Sequence, residues 1–452
     1  MMVFSKGTAA AALVSFGAFA QQAAATQMPL PILKDFDETG VLGGLYRPNS
    51  TTARSRIGVY IMHAEQDYTS FIACTALPKR GYTTFCANNE ASKYGYMSDL
   101  NFEDMMTEAS TGLAWLKNQT DIDKVVVLGH SGGGAMMAAY QNIAENGASA
   151  CNGSEKIYPC SDAMNNLVPA DGLMLLDANY GLSTMAFLSL NPAIEDETKA
   201  SKLNESLSVY NTANGFVNNT RSNYTAAFKE RLQTGMVTRN NRILDHAQER
   251  LKALEAGEGM FGDDEPLTIP ASLYIAFNNL FFPQDTRYIH HTTHAWPLLH
   301  KNGTTTQIVP SVRVPANFED YSNNWESGAL KTTVRRFLST FAIRVKDTFS
   351  IEVDGFDGID YASSQTAPHA AIAGVKVPLL TMGMTGHYEY LNAEKLHLQA
   401  TSNDTSIAFV EGAQHGIITC TECESYPGEY GNTAETCFNY IGQWLAKPGR
   451  FL

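Results

Sequence analysis

The chain has 452 residues, 44% of them hydrophobic, which exceeds one ordinary domain and is enough for a sizeable core. Lys and Arg number 32 against 46 Asp and Glu, a formal net charge of −14, and no basic run occurs. That balance argues against a nucleic-acid partner or an anionic membrane surface and fits a soluble acidic protein.

Residues 1–25 have the layout of a cleaved signal peptide. Lys6 supplies the positive start, Ala9 to Ala20 a short apolar run, and Ala18-Phe19-Ala20 a small-x-small cleavage site, with Ala23-Ala24-Ala25 as a second option. The run is too short to span a bilayer comfortably, and no other stretch approaches a membrane helix. Sequons at Asn49, Asn118, Asn152, Asn204, Asn218, Asn223, Asn302 and Asn403 agree with export and glycosylation. In an oxidising compartment Cys74 with Cys86, and Cys151 with Cys160, could close short loops. Of Cys420, Cys423 and Cys437 one is left over, and their pairing stays open. Cys420-Thr-Glu-Cys423 lacks the companion pair that a zinc site needs.

Pro31 to Asn49 alternates apolar and polar residues around Glu38-Thr39-Gly40, a β-hairpin pattern. Ile57 to His63 is a buried strand followed by the loop His63-Ala64-Glu65-Gln66-Asp67-Tyr68, and Gly81 to Ala87 supplies the next strand. Phe102, Met105, Met106, Ala109, Leu113 and Leu116 recur at helical spacing, which predicts an amphipathic helix over 101–118. Val125 to Leu128 then runs into Gly129-His130-Ser131-Gly132-Gly133-Gly134, and a small-residue helix follows, closed by Gly147. Strand, sharp turn and helix would lift the Ser131 hydroxyl above the carboxyl end of a sheet, with the helix dipole facing any oxyanion formed there. No Lys-Ser or Lys-Thr follows the glycines, so a phosphate-binding loop is disfavoured.

Asn146 to Asp171 is a polar surface loop, and Gly172 to Asp177 another buried strand. From about Tyr180 to Val375 the alternating β-α rhythm disappears. Helical patterns such as Ile243, Leu244, Ala247, Leu251 and Leu254 stand there beside an aromatic stretch, Phe277, Phe281, Phe282, Tyr288 and Trp296. His290, His291 and His294 have no local acidic or cysteine partner and fit a polar surface or pocket better than zinc. Val375 to Gly383 and Ser406 to Glu411 are the last strands. The second leads to Gly412-Ala413-Gln414-His415-Gly416, and a final helix presents Phe438, Ile441, Trp444 and Leu445.

In G-x-S-x-G and its strand-turn-helix setting, the chain resembles the α/β-hydrolase superfamily, serine-nucleophile branch. The resemblance implies a mostly parallel sheet flanked by helices, with a core of residues 26–180 and 375–452. A large, mainly helical cap over 181–374 would roof an apolar pocket. It implies Ser131 as nucleophile and His415 as base. The oxyanion donors would be the backbone N–H groups of Gly132 and of Ala64 or Glu65, with Ala64 preferred. Glu65 departs from the glycine usual in that loop, and an acid there is unfavourable unless it faces away or is neutralised. Gly386 stands where the family places its acid. Glu389 is therefore the first choice for that role, Asp177 the alternative and Glu394 a distant third.

The expected activity is hydrolysis of a small apolar ester or lactone through an acyl-serine, without cofactor or metal. Carbon-carbon bond hydrolysis or amide hydrolysis on the same triad is the neighbouring possibility. A non-catalytic binding protein of the same fold is the possibility from another class. Oligomeric state is left undetermined.

Overall fold

The computed structural model describes residues 30–36, 40–91, 100–199, 202–218, 220–273, 281–316 and 328–452. The expected signal peptide and Phe277 lie outside these residues. Among the described residues fourteen strands are formed: β1 (Ile32–Asp35), β2 (Leu42–Tyr46), β3 (Ile57–Met62), β4 (Thr83–Asn88), β5 (Lys124–His130), β6 (Gly172–Leu176), β7 (Pro266–Ile269), β8 (His291–His300), β9 (Gly303–Pro310), β10 (Leu330–Thr333), β11 (Arg344–Ile351), β12 (Phe356–Asp360), β13 (Leu379–Met384) and β14 (Thr405–Val410).

The central sheet has ten strands in the order β1-β2-β4-β3-β5-β6-β13-β14-β8-β9. Its middle is parallel from β4 to β8, and the outer pairs β1-β2, β2-β4 and β8-β9 are antiparallel. Parallel strands must be covered on both faces, which is why β3, IGVYIM, is apolar and buried throughout. Alternation then divides the strands between two cores: Tyr60, Met62, Val125 and Val127 face one, and Val59, Ile61, Val126 and Leu128 face the other. Each such side chain contributes about 1.5–3 kcal/mol by burial. The helix Phe102–Lys117 packs Phe102, Met105, Met106, Leu113 and Leu116 into the first core, and Asn101 caps it by accepting from the Glu103 N–H. The helix Thr433–Leu445 closes the second core with Phe438, Ile441, Trp444 and Leu445.

The order in which strands are added reverses between the parallel neighbours β3 and β5, with β4 on one side and β6, β13 and β14 on the other. The carboxyl ends around this reversal are where open α/β sheets bind ligands. Strand order, parallel centre and the turn after β5 together make this an α/β-hydrolase fold.

The segment 181–374 differs from the mainly helical cap expected of it. It holds the 30-residue helix Ala226–Glu255, but also two antiparallel pairs, β7 with β10 and β11 with β12. The hairpin β8-β9 joins the central sheet, with β8 parallel to β14 through Phe409 opposite Leu298 and Val410 opposite Leu299. Boundaries at 181 and 374 therefore do not separate core from insert. The physical reason is in β8 and β9 themselves, where Thr292, Thr293 and Thr304 to Thr306 are β-branched and favour a pleated edge. Arg239 ties the long helix to the chain on both sides of it: buried, it donates to Glu197 at 2.9 and 2.6 Å and to the carbonyls of Asn191, Pro270 and Ala271.

Disulfides join Cys74 to Cys86, Cys151 to Cys160 and Cys420 to Cys423, and Cys437 is free and buried. The third bridge settles which member of the last trio is left over. No helix among the described residues is long and apolar enough to cross a membrane.

Candidate active site

Ser131 sits between β5 and the helix Gly132–Asn146 with φ 56° and ψ −129°, a strained conformation for a residue with a side chain. Both flanking glycines are closely packed, Gly129 against backbone and Gly132 against a side chain. A Cβ on Gly129 would lie 2.4 Å from the Gly133 carbonyl oxygen, and one on Gly132 would lie 2.7 Å from Glu65 Oε2. The turn is tied down by the Ser131 carbonyl, which accepts from the Gly134 N–H at 2.9 Å and the Asn179 N–H at 3.0 Å.

His415 comes from the loop after β14, 284 residues away in sequence, and its Nε2 is 2.7 Å from Ser131 Oγ. His130 holds that loop from below. Its Nε2 donates to the His415 carbonyl at 2.5 Å while its Nδ1 accepts from the Tyr68 hydroxyl at 2.6 Å. A neutral ring is needed for that pattern. Burial and the neighbouring His415 charge keep His130 neutral by pushing its pKa well below the ordinary range.

The carboxylate hydrogen-bonded to His415 is Asp177, not Glu389. Asp177 Oδ2 lies 2.7 Å from His415 Nδ1, whereas Glu389 Oε2 is 3.5 Å from the same nitrogen. Asp177 follows β6 with φ 42°, is fully buried, and accepts from the Met384 N–H through Oδ1 at 2.9 Å. Burial alone would raise its pKa, but hydrogen bonds from His387 and His415 outweigh burial and hold it below the usual carboxylate range. Glu389 has the reverse balance. Burial, reinforced by the Asp177 charge and opposed by His415, pushes its carboxyl up to about 8, so it keeps its proton near neutrality.

The departure at Gly386 also has a steric cause. Its N–H donates to the Ala413 carbonyl at 2.8 Å, and a Cβ there would lie 2.7 Å from that same oxygen, so no acid side chain fits. Glu394 is engaged elsewhere: it is buried and accepts from the N–H groups of Thr293 and His294 and from Trp296 Nε1 at 2.7–3.0 Å.

Of the two oxyanion candidates before the helix, Glu65 has its N–H turned to His63 Nδ1 at 3.1 Å, which leaves Ala64. Both residues are buried, and Asn89 Nδ2 fixes the Ala64 carbonyl at 2.8 Å. The Glu65 carboxyl does not face away. It lies against Gly132, with Oε2 3.1 Å from His63 Nδ1.

One residue of the site was missed from sequence. His387 Nδ1 is 3.0 Å from Asp177 Oδ2, so two imidazoles share one carboxylate oxygen. Burial and the His415 charge lower the His387 pKa to about 4, and the ring donates as a neutral group. The available signal was a histidine in the same loop as Glu389, just past β13. Beside it Tyr388 packs on Phe282 at 5.5 Å, and Phe282 packs on Phe356 at 5.3 Å, so aromatic residues of the insert reach the rim of the site. His291 and His294 lie on strand β8, not on a helix.

Ser131, His415 and Asp177 thus form one hydrogen-bonded chain at the carboxyl edge of the sheet. No family model matches the sequence, and no curated protein matches it. Among solved structures, the chain is similar to a siderophore hydrolase from Aspergillus fumigatus, with 12% identity over 94% of this chain and 99% of that one and a TM-score of 0.42. It is also similar to a monoglyceride lipase from Saccharomyces cerevisiae, at 14% identity over 93% and 96% of the two chains and a TM-score of 0.38. A carboxyl esterase from Bacillus coagulans gives 10% identity over 93% and 98%, again with a TM-score of 0.38.

Proposed function

We propose that the protein is a serine hydrolase that cleaves a small apolar ester or lactone through an acyl-serine intermediate. One observation carries this reading: the continuous chain Ser131 Oγ, His415 Nε2, His415 Nδ1, Asp177 Oδ2, with 2.7 Å at each hydrogen bond. Ser131 Oγ attacks the carbonyl carbon as His415 Nε2 takes its proton, and buried Asp177 stabilises the imidazolium. The Gly132 N–H at the helix start and the Ala64 N–H receive the oxyanion. Collapse expels the alcohol, which takes the proton from His415, and water then releases the acid by the same steps in reverse order.

The reading includes export through a cleaved signal peptide. Exposure of Asn49, Asn118, Asn152, Asn218, Asn223, Asn302 and Asn403 supports glycosylation, and Asn204 is half-buried. N-terminal sequencing of the mature protein should begin just after residue 20 or 25, and removal of N-glycans should increase its mobility. The activity is tested by a fluorophosphonate probe followed by peptide mapping. Labelling confined to Ser131 and lost in His415→Ala supports the hydrolase; a folded protein that never labels indicates a binding module instead.

A further inference from the structure

Asp177, His387, Glu389 and His415 each bring one ligand atom to a common point, all four within 4.8 Å of one another. The hydrolytic cycle passes its proton through His415, oriented by Asp177; His387 only supports Asp177, and Glu389 takes no step in it. Glu389 has a side chain only 4% exposed, and its Oε2 makes no hydrogen bond among the described residues. That oxygen faces both imidazoles, 3.5 Å from His415 Nδ1 and 3.9 Å from His387 Nδ1. Leaving a buried carboxyl oxygen in that state is costly, and a cation at the common point would relieve it.

The donor set identifies the cation. Two imidazole nitrogens with two carboxylate oxygens suit Zn²⁺, whereas Ca²⁺ and Mg²⁺ require oxygen shells of six or more ligands. Zinc bonds of about 2.0 Å in a tetrahedron put ligand atoms about 3.3 Å apart. The four nitrogen–oxygen separations here, 2.7, 3.0, 3.5 and 3.9 Å, bracket that edge, and the remaining two of the six lie within 4.8 Å. His387 and His415 keep 21% and 30% of their side chains exposed, which gives the ion an entry.

We propose that this cluster is an inhibitory Zn²⁺ site, bound through Nδ1 of His387 and His415 and one oxygen each of Asp177 and Glu389. In the resting triad, His415 carries its single proton on Nδ1, toward Asp177, and offers the Nε2 lone pair to Ser131. Zinc needs the Nδ1 lone pair, so that proton moves to Nε2 and the ring stays neutral. A protonated Nε2 cannot take the Ser131 proton, and hydrolysis stops. His387 makes the same exchange of tautomer, and the proton held by Glu389 passes to buffer.

The inhibitory half of the proposal rests on the hydrolase reading, while the binding half does not. The test uses the full mature chain, freed of metal with a chelator and titrated with zinc sulfate in a non-chelating buffer. Metal retained after desalting is read by mass spectrometry, and hydrolysis of a p-nitrophenyl ester is followed in parallel. Expected are one zinc per chain, turnover falling with the same midpoint, and recovery on adding chelator. Ser131→Ala should bind zinc as the unmodified chain does, so the site is measurable even if no ester is cleaved. Glu389→Gln and His387→Asn should each weaken binding at least about tenfold, since even outer-shell losses have that effect. If Glu389→Gln fails to fold, His387→Asn decides. No zinc retained, undiminished affinity in these variants, or stoichiometric zinc with turnover unchanged would each overturn the proposal.

Discussion

The two halves of the candidate site are built differently. The half around Ser131, the proposed nucleophile, is continuous in sequence: β5, Ser131 and the helix Gly132–Asn146 are one strand, one strained residue and one helix. The half around His415 and Asp177, the proposed base and acid, is assembled from loops after β6, β13 and β14, and its hydrogen bonds join residues 210 and 238 apart in sequence. A local motif specifies what it is by its own glycines and hydrophobic run. An assembled one depends on the parallel register that brings strand ends to the same edge, so small changes in a neighbouring loop can reassign a role.

The largest expected effect ignores that difference. Ser131→Ala and His415→Ala, one from each half, should each lower turnover on the order of a millionfold with little loss of stability, because the triad acts as a unit. Retention of more than a few per cent of activity in either variant would sink the assignment. Within the assembled half, Asp177→Asn should cost about ten-thousandfold in turnover. Glu389→Gln should cost far less, and a reversed pattern in steady-state kinetics would return the acid role to Glu389.

Stability against pH sharpens the comparison further. His369, buried beneath Tyr361 at a ring distance of 3.9 Å, has its pKa lowered by burial to about 3, against the opposing effect of Asn392. Below about pH 6.5 the unfolded chain takes up a proton that the folded chain refuses. This contribution is therefore present above pH 6.5 and lost as pH falls toward 3, by up to about 5 kcal/mol. His369→Gln should flatten that acid limb in a series of melting curves; an unchanged limb would show that His369 is not its source.

Gly386→Ala probes the contact between two of the assembled loops. Its Cβ meets a backbone oxygen, not a flexible side chain, so the variant should lose about 1–3 kcal/mol and some turnover through a displaced His415. Full stability and full activity would mean that the loops are not coupled there. The smallest effect is chemical. Alkylation without reduction should leave Cys151 and Cys160 linked, and should reach only Cys437, and that one only after unfolding, because burial raises its thiol pKa. Alkylation of the native chain at Cys437, or recovery of Cys151 and Cys160 as free thiols, would contradict this.

The sequence by itself determined the parts whose physics is short-range. Alternating and continuous apolar runs marked the strands from β1 to β6 and both late ones. The 3.6-residue period marked the helix Phe102–Lys117, and the glycines around Ser131 marked a turn that nothing else can make. His415 was also legible, as a histidine in a glycine-bearing turn just past a late strand. Tertiary structure alone decided the rest. Asp177 outranks Glu389 because β6 and β13 run parallel in a register that delivers Asp177 Oδ2 to His415 Nδ1, while Gly386 is pressed against the Ala413 carbonyl and admits no acid. The sharing of Asp177 by His387 and the joining of β8-β9 to the sheet edge were hidden for the same reason. Each is a contact between segments far apart in the chain, and hydrophobic period and propensity carry no information about which distant strand ends will meet.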